Sequence, residues 1–553
     1  MRPRDFWNSG HMRTMDKLSF KRIARGELKG WVREDLIHLL PPNFFEDPAS
    51  FVRKMDGRVI KESRLRWAAI FSLQEGKRVF IKRDRTQGWA EALKFMILPS
   101  KARKEWFIAT RLQKKNLPVS KPLGWIEKGR WGLVKDSFYL SEALGGGDSL
   151  IDILPLKRGV PMGPLAKTVR VFHDAGLFHK DLHGGNLLWD GESFFLTDLH
   201  RAEILRSLSL DQRLQNLSQL FHSLRSQWGK EDFLRFLEAY FAGDSLDSRK
   251  KETLLQKVLS LMDHLQKRWR KSRTKRCLQE STEFSVKKER GMTAYLRRDF
   301  PLDEIKEILK THAALVRESP ARLLKHAPET IVSLLDTGEG KICVKQFRYP
   351  HWIDRLKENF RDSKGLKAWV AGNGLKIRGI PSPKVMACVE RRNGIWIKEG
   401  FLLMEAFEGG QELDRYLLKE LGDFQRKRLF IKDFARWLSY FHQMDVFHGD
   451  MKTCNVIVSE EEEGWRFHLL DLEDVRLDQP MDEKRLFRNF LQLNTSTPRS
   501  MTHTDRMRFY REYQRLQPVI RDERTFLFKL IQQSKERGIV YVSPQGAVEE
   551  RWR

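Results

Sequence analysis

The stretch His179-Lys180-Asp181-Leu182-His183-Gly184-Gly185-Asn186 sets an aspartate and an asparagine five residues apart between apolar segments. A carboxylate at the first position can orient an acceptor hydroxyl and take its proton. An amide oxygen at the second is a hard ligand suited to Mg²⁺. Asp198 follows a short apolar run and offers a charged carboxylate to the same ion. Upstream, Lys82 ends the strand-like run VFIK, and Glu105 lies in the helical stretch that comes next. A lysine so placed can pair with the α- and β-phosphates of ATP, and the glutamate can hold that lysine. Taken singly these are an edge lysine, a surface charge and a capped turn. Taken in order they spell phosphoryl transfer from ATP with Mg²⁺.

The order occurs twice. The segment from Ser100, SKARKEWFIATRLQKKNLPVSKPL, matches SKGLKAWVAGNGLKIRGIPSPKVM from Ser363 at a constant offset of 263 residues. Before each lies an apolar strand ending in lysine, at Lys82 and Lys345. After each come an apolar run with an acid (Glu142, Glu405), a helical pattern, a His-x-Asp loop and a run closing on aspartate. The second set is therefore Lys345, Asp450, Asn455 and Asp471. Lys452, two residues beyond Asp450, can reach the transferring phosphoryl group, and His183 holds the matching place in the first copy. Ala368 stands opposite Glu105, so the helix carboxylate is missing from the second copy, with Glu358 upstream as a substitute.

The elements that must position these groups follow from pattern. Short β-rich runs surround both lysines and apolar residues at helical spacing dominate later. The fold class is thus α+β, two tandem bilobal modules, each a small β-rich lobe and a larger α-helical lobe. The first is expected over 1–298, with its lobes at about 18–142 and 143–298. The second is expected over 299–553, with lobes at about 299–405 and 406–553 and a boundary near Arg298–Leu302. A chain of 553 residues has room for three or four compact units of about 150 residues each.

Lys and Arg number 102 against 74 Asp and Glu, a net charge of +28. Such an excess points to an anionic partner: nucleic acid, a membrane surface or a phosphorylated substrate. No recognised nucleic-acid-binding motif is present, so nucleic acid is not expected. The run KRWRKSRTKR at Lys267–Arg276 is a candidate patch for lipid phosphates or an anionic bilayer, against the plainer reading of a solvated helix face. The four cysteines, Cys277, Cys343, Cys388 and Cys454, form no CxxC pair and read as reduced thiols. The basic N-terminus lacks the apolar core of a signal peptide, and no charge-free run approaches a spanning helix.

These motifs resemble the protein-kinase-like superfamily and, more narrowly, the lipopolysaccharide core kinases, which include Kdo and heptose kinases. The resemblance rests on the Lys82 strand, SKARKEW, the His179–Asn186 loop, FLTDLHRA, FLEAYF at Phe236–Phe241 and RCLQESTEF from Arg276. It implies Asp181 and Asp450 as catalytic residues and Lys82, Glu105, Lys345 and Lys452 as ATP-binding. Asn186, Asp198, Asn455 and Asp471 would be the metal ligands. His179 and His448 would be structural, and Glu142 and Glu405 would mark the segment joining the lobes. The implied activity is ATP- and Mg²⁺-dependent phosphorylation of a Kdo or heptose hydroxyl of the lipopolysaccharide inner core or a lipid A precursor. The implied location is cytoplasmic, peripheral on the anionic inner membrane.

The chain departs from ordinary protein kinases. It has no GxGxxG loop, the expected phosphate-covering hairpins being Val59–Ser72 and Leu323–Leu335. It has no DFG, and its one Ala-Pro-Glu triplet, Ala327–Glu329, falls inside the second of those hairpins. The alternatives are a small-molecule or protein kinase of the same superfamily, whose loop aminoglycoside and choline kinases share, and a nucleotide-binding pseudokinase scaffold.

Overall fold

In the sheet of the first unit the central strands bury both faces, as β-branched and aromatic runs allow, and the edge strand Arg58–Glu62 is exposed throughout. Its strands are β1 (Phe20–Arg25), β2 (Leu28–Arg33), β3 (Arg58–Glu62), β4 (Arg66–Ser72), β5 (Arg78–Arg85), β6 (Pro122–Arg130) and β7 (Leu133–Glu142). They pair antiparallel in the order β1-β2-β6-β7-β5-β4-β3. The second unit repeats this with β8 (Phe284–Glu289), β9 (Met292–Arg297), β10 (Lys325–His326), β11 (Thr330–Thr337), β12 (Gly340–Arg348), β13 (Val385–Asn393) and β14 (Trp396–Glu405). Their order is β8-β9-β13-β14-β12-β11-β10, the same topology strand for strand. The computed structural model describes residues 20–552 apart from 56, 74–75, 145–147, 155–160, 245–246, 339, 352–360, 395, 408, 420 and 463.

The chain divides between Gln266 and Lys267, inside the helix Ser248–Thr274. The boundary expected near Arg298–Leu302 is therefore too late. The β8–β9 hairpin belongs to the second sheet, with Met292 opposite Arg391 and Leu296 opposite Ala387 on β13. RCLQESTEF moves with it: the Cys277 carbonyl accepts from Trp369 Nε1 at 2.9 Å. Part of the Lys267–Arg276 run is structural, with Lys267 paired to Asp445 at 2.9 Å and Thr274 buried.

In each unit the described apolar residues form one core under the sheet and another among the helices. The repeated Ser-Lys pair has a local cause. Ser100 caps the helix Lys101–Gln113 by accepting from the Arg103 N–H at 3.2 Å, and Ser363 caps Lys364–Ile377 through Leu366 N–H at 3.0 Å. On the first of these helices Ala102, Glu105, Trp106, Ala109 and Leu112 are buried. Their i, i+3, i+4, i+7, i+10 spacing makes one stripe, and Glu105 lies on it facing the sheet.

The His-x-Asp loops are clamped alike. Gly176 (φ 82°) ends the helix Met162–Asp174, and a Cβ there would lie 2.1 Å from the Leu205 carbonyl oxygen. Asp445 (φ 55°) takes the equivalent left-handed turn after Phe424–Gln443. Asn216 on the helix Leu210–Leu224 brackets His179, accepting from its N–H at 3.0 Å and donating to its carbonyl at 3.1 Å. Asn489 donates to the His448 carbonyl at 2.7 Å in the second copy. No helix among the described residues is long and apolar enough to cross a membrane.

Candidate active site

Lys82 on β5 faces Ala68 on β4 and Tyr139 on β7 and is only 5% exposed. Its ammonium donates to Glu105 Oε2 at 2.7 Å and to Asp198 Oδ1. Burial opposes the charge, but the carboxylates of Glu105, Asp198 and Asp84 outweigh it and raise Lys82 to about 12. Asp198 is held below the usual carboxylate range: burial works against ionisation, and His200 and Lys82 overcome it. Burial pushes Glu105 the other way, upward, against the pull of Lys82. Glu105, Asp198 and His200 also lie close enough together to hold a metal ion. The Lys82 ammonium already bridges the two acids, so we read this cluster as a lysine anchor.

Asp198 adopts the left-handed region at φ 58°, and Asp471 does so at φ 48°. A non-glycine residue there costs about 1–3 kcal/mol, although aspartate tolerates it better than most. In both units the turn comes straight after the strand and re-aims the carboxylate towards the buried lysine.

The histidines of the two His-x-Asp loops have one job each. The Asp181 N–H donates to His179 Nδ1 at 3.2 Å, so the ring proton sits on Nε2, which donates to the Asp198 carbonyl at 3.3 Å. His448 repeats this, taking the Asp450 N–H at 3.1 Å and donating to the Leu470 carbonyl at 3.1 Å. Each histidine thus staples the loop of one acid to the loop of the other. The Asn186 amide nitrogen is spent on the Asp181 carbonyl at 3.0 Å, and that of Asn455 on the Asp450 carbonyl at 2.7 Å. An amide so tied has its oxygen turned away from the carbonyl, a hard donor of the kind Mg²⁺ takes.

Burial lowers His179 to about 4, and His173 and His442, each hydrogen-bonded to a buried tyrosine hydroxyl at 2.7 Å, to about 3. In the unfolded chain a histidine titrates near about 6.5. Between those values the unfolded chain binds more protons, so stability rises with pH across this window. The histidine contribution is complete above about pH 6.5 and is lost as pH falls through it. Melting temperatures measured in steps from pH 8 to 4 are expected to drop below about 6.5. A flat profile would contradict neutral buried rings.

In the first unit Lys82, Glu105, Asn186 and Asp198 line one cavity. This cavity of ≈ 540 Å³ runs from the Lys82–Glu105–Asp198 cluster to the end of β7. Ala68, Ile70, Phe80, Tyr139, Leu188 and Leu196 give it apolar walls. Lys61 of the β3–β4 hairpin lines it as well. Glu142 pairs with Lys121 at 3.1 Å and Glu405 with Lys384 at 2.5 Å, closing the last strand of each sheet in the same way. The Ala-Pro-Glu triplet is the turn of the β10–β11 hairpin. His183 Nδ1 accepts from the Gly185 N–H at 3.1 Å and so shapes its own loop.

Four contacts among these residues lie outside the expected set. Arg66 reaches Asp198 Oδ2 at 3.6 Å and Asp84 at 2.9 Å. His200 meets Asp198 Oδ1 at 2.6 Å. Arg201 holds Asp181 Oδ2 at 2.7 Å, whereas Asp450 is held by its own neighbour Lys452 at 3.1 Å. The fourth concerns the missing carboxylate. Ala368 is fully buried and apolar in its surroundings, and Glu358 lies outside the described residues. Lys345 instead pairs with Asp471 at 2.7 Å and Glu473 at 2.6 Å. Glu473 occupies the position of His200, two residues after the loop aspartate, and takes over from the helix glutamate. Those acids, working against burial, raise Lys345, and Lys345 in turn keeps Asp471 low. The Asp-Leu-Glu run was visible, but nothing in a one-dimensional pattern says that its glutamate turns inward.

A buried strand lysine, a looped Asp–Asn pair and a left-handed aspartate around one cleft define a protein-kinase-like phosphotransferase. The profile described as the lipopolysaccharide kinase (Kdo/WaaP) family matches residues 50–240 and 358–513, one segment in each unit. The chain belongs to this family, and is a kinase that uses ATP. Similar curated proteins include the lipopolysaccharide core heptose(I) kinase WaaP of Escherichia coli K12, 28% identical over 40% of this chain and 87% of that protein. The 3-deoxy-D-manno-octulosonic acid kinase of Stenotrophomonas maltophilia R551-3 is 33% identical over 25% of this chain, and the match spans 57% of that kinase. A solved structure, "WaaP in complex with acyl carrier protein", is matched over 41% of this chain and 96% of its own, at 22% identity and a TM-score of 0.31.

Proposed function

We propose that the first unit transfers the γ-phosphoryl group of ATP to a sugar hydroxyl, Kdo or heptose, of the lipopolysaccharide inner core. What supports this most is the buried Lys82–Glu105–Asp198 cluster opening on the ≈ 540 Å³ cavity, with Asp181 on the adjoining loop. The relatives named as heptose(I) and 3-deoxy-D-manno-octulosonic acid kinases support the sugar acceptor.

In this assignment Lys82 meets the α/β-phosphates and Glu105 keeps it extended. Arg66 adds positive charge beside Asp198. Asn186 and Asp198 would hold Mg²⁺ through an amide oxygen and a carboxylate, both hard donors. When bound, the ion neutralises charge on the phosphate oxygens. Asp181 aims the sugar hydroxyl and takes its proton, with Arg201 fixing the carboxylate. Catalysis is then largely positioning and electrostatics. The net charge of +28 suits an acceptor bearing phosphates and carboxylates at an anionic inner-membrane surface.

The second unit is proposed as a second nucleotide site, because Glu473 completes the Lys345 anchor that the helix lacks. Asn455 and Asp471 would hold its ion, with Asp450 on the acceptor side and Lys452 towards the transferring phosphoryl group. The test follows labelled γ-phosphate from ATP into lipopolysaccharide precursors for the parent chain, Asp181→Asn and Asp450→Asn. Label lost only with Asp181→Asn makes the second unit accessory, and two products lost separately make the chain bifunctional. ATP bound with neither label nor ADP released would overturn the kinase assignment in favour of a scaffold.

A further inference from the structure

The helix Gly88–Ile97 lies between the lysine strand and the helix that carries Glu105, and it buries none of its residues. Trp89 is 77% exposed, Leu93 55%, Met96 53% and Ile97 72%. Their i, i+4, i+7, i+8 spacing puts all four on one outward stripe. Trp131, 91% exposed, caps the β6–β7 turn beside them: Met96 Cε is 3.8 Å from where a Cβ on Gly132 would stand. Five large apolar side chains on one patch, two of them tryptophans, exceed the scattered exposure normal for a surface.

The charges around this patch are mostly positive. Lys94 and Lys135 are exposed. Glu91 is neutralised by Lys101 at 2.9 Å, and the buried Asp136 is met by Arg85 at 3.2 Å. Burial lowers Lys104 against the pull of Glu203, which itself pairs with Lys180 at 2.5 Å. Lys104 precedes Glu105 and Lys180 precedes Asp181. Through Glu91 and Lys101 the patch is tied to the helix that carries Glu105, so it belongs to the same lobe as Lys82 and Glu105. An apolar stripe with tryptophan at its ends and lysine at its margins is what an interfacial helix presents to an anionic bilayer.

We propose that the Gly88–Ile97 helix and Trp131 are the surface by which this chain docks on an anionic lipid bilayer. Docking there holds the first cleft at the membrane, where the sugar of a lipid-anchored acceptor can reach Asp181. The docking stands without the kinase assignment, and only its purpose rests on it. It also moves the lipid-facing surface from Lys267–Arg276 to a face that carries exposed apolar side chains.

Co-sedimentation of the full chain with vesicles, without nucleotide, tests it. Vesicles of phosphatidylcholine containing phosphatidylglycerol are expected to bind the parent chain, and vesicles of phosphatidylcholine alone to bind it far less. Leu93→Asp with Ile97→Asp, and separately Trp89→Ser with Trp131→Ser, are each expected to cut partitioning about tenfold or more. Lys94→Glu with Lys135→Glu should cut only the phosphatidylglycerol-dependent part, and salt should do the same. All of these side chains are exposed, so melting temperature and ATP affinity should not change. Parent chain that ignores anionic vesicles, or apolar variants that bind as well as the parent, would overturn the proposal. So would variants that abolish self-association in sedimentation while vesicle binding persists, since the occupant would then be a second copy. Docking with no labelled sugar product would instead count against the kinase assignment alone.

Discussion

Asp181→Asn is expected to lower phosphoryl transfer by about 10²–10⁴-fold, the usual range for a lost general base. The substitution is close to isosteric, and the partly exposed Asp181 side chain is tied, among the described residues, to Arg201 at 2.7 Å. The backbone bonds that shape the loop, to His179 Nδ1 and from the Asn186 amide, do not involve the carboxylate. Fold and nucleotide site therefore stay in place, and only the oxygen that takes the hydroxyl proton is lost. The kcat and kcat/KM for the acceptor should fall together, the pattern of an interaction made in the transition state. ATP affinity and melting temperature should match the parent chain. Product formation followed with labelled ATP, beside a nucleotide titration, checks each point. A variant with unaltered turnover would remove Asp181 from the reaction.

The second large effect concerns Glu473. Glu473→Ala removes one of the two carboxylates that Lys345 meets, at 2.6 Å in a nearly buried setting. A charge-assisted bond of this kind is worth about 1.5–3 kcal/mol, and so ATP affinity at the second site should fall about 10–100-fold. The first site should be untouched, which a titration with Lys345→Ala in the background can show, and Lys82→Ala in the background isolates the second site. The reciprocal experiment uses the first unit. Glu105→Ala should weaken its nucleotide binding, and adding His200→Glu, which moves a carboxylate to the Glu473 position, should recover part of the loss. Recovery would make the two placements equivalent. No effect of Glu473→Ala would leave Ala368 as a true deficit and the second lysine as a structural cation.

The sequence by itself determined the two copies, their α+β class and the order of chemical groups, because each rests on local rules. Ser100 and Ser363 cap helices, Gly176 ends one in a left-handed turn, and His-x-Asp-x4-Asn is one short loop whose backbone fixes its own side chains. Spacing along the chain suffices for contacts of that range. Tertiary structure alone decided the rest. The β8–β9 hairpin joins the second sheet through pairing with β13, about a hundred residues away, and so the expected boundary came too late. Arg66, Arg201 and Glu473 earn their places only when strand, hairpin and loop converge on one buried lysine or aspartate. A lysine in low dielectric must be met by a carboxylate, but the fold is free to supply it from any element within reach. That is why the second unit can lose the helix glutamate and keep its anchor.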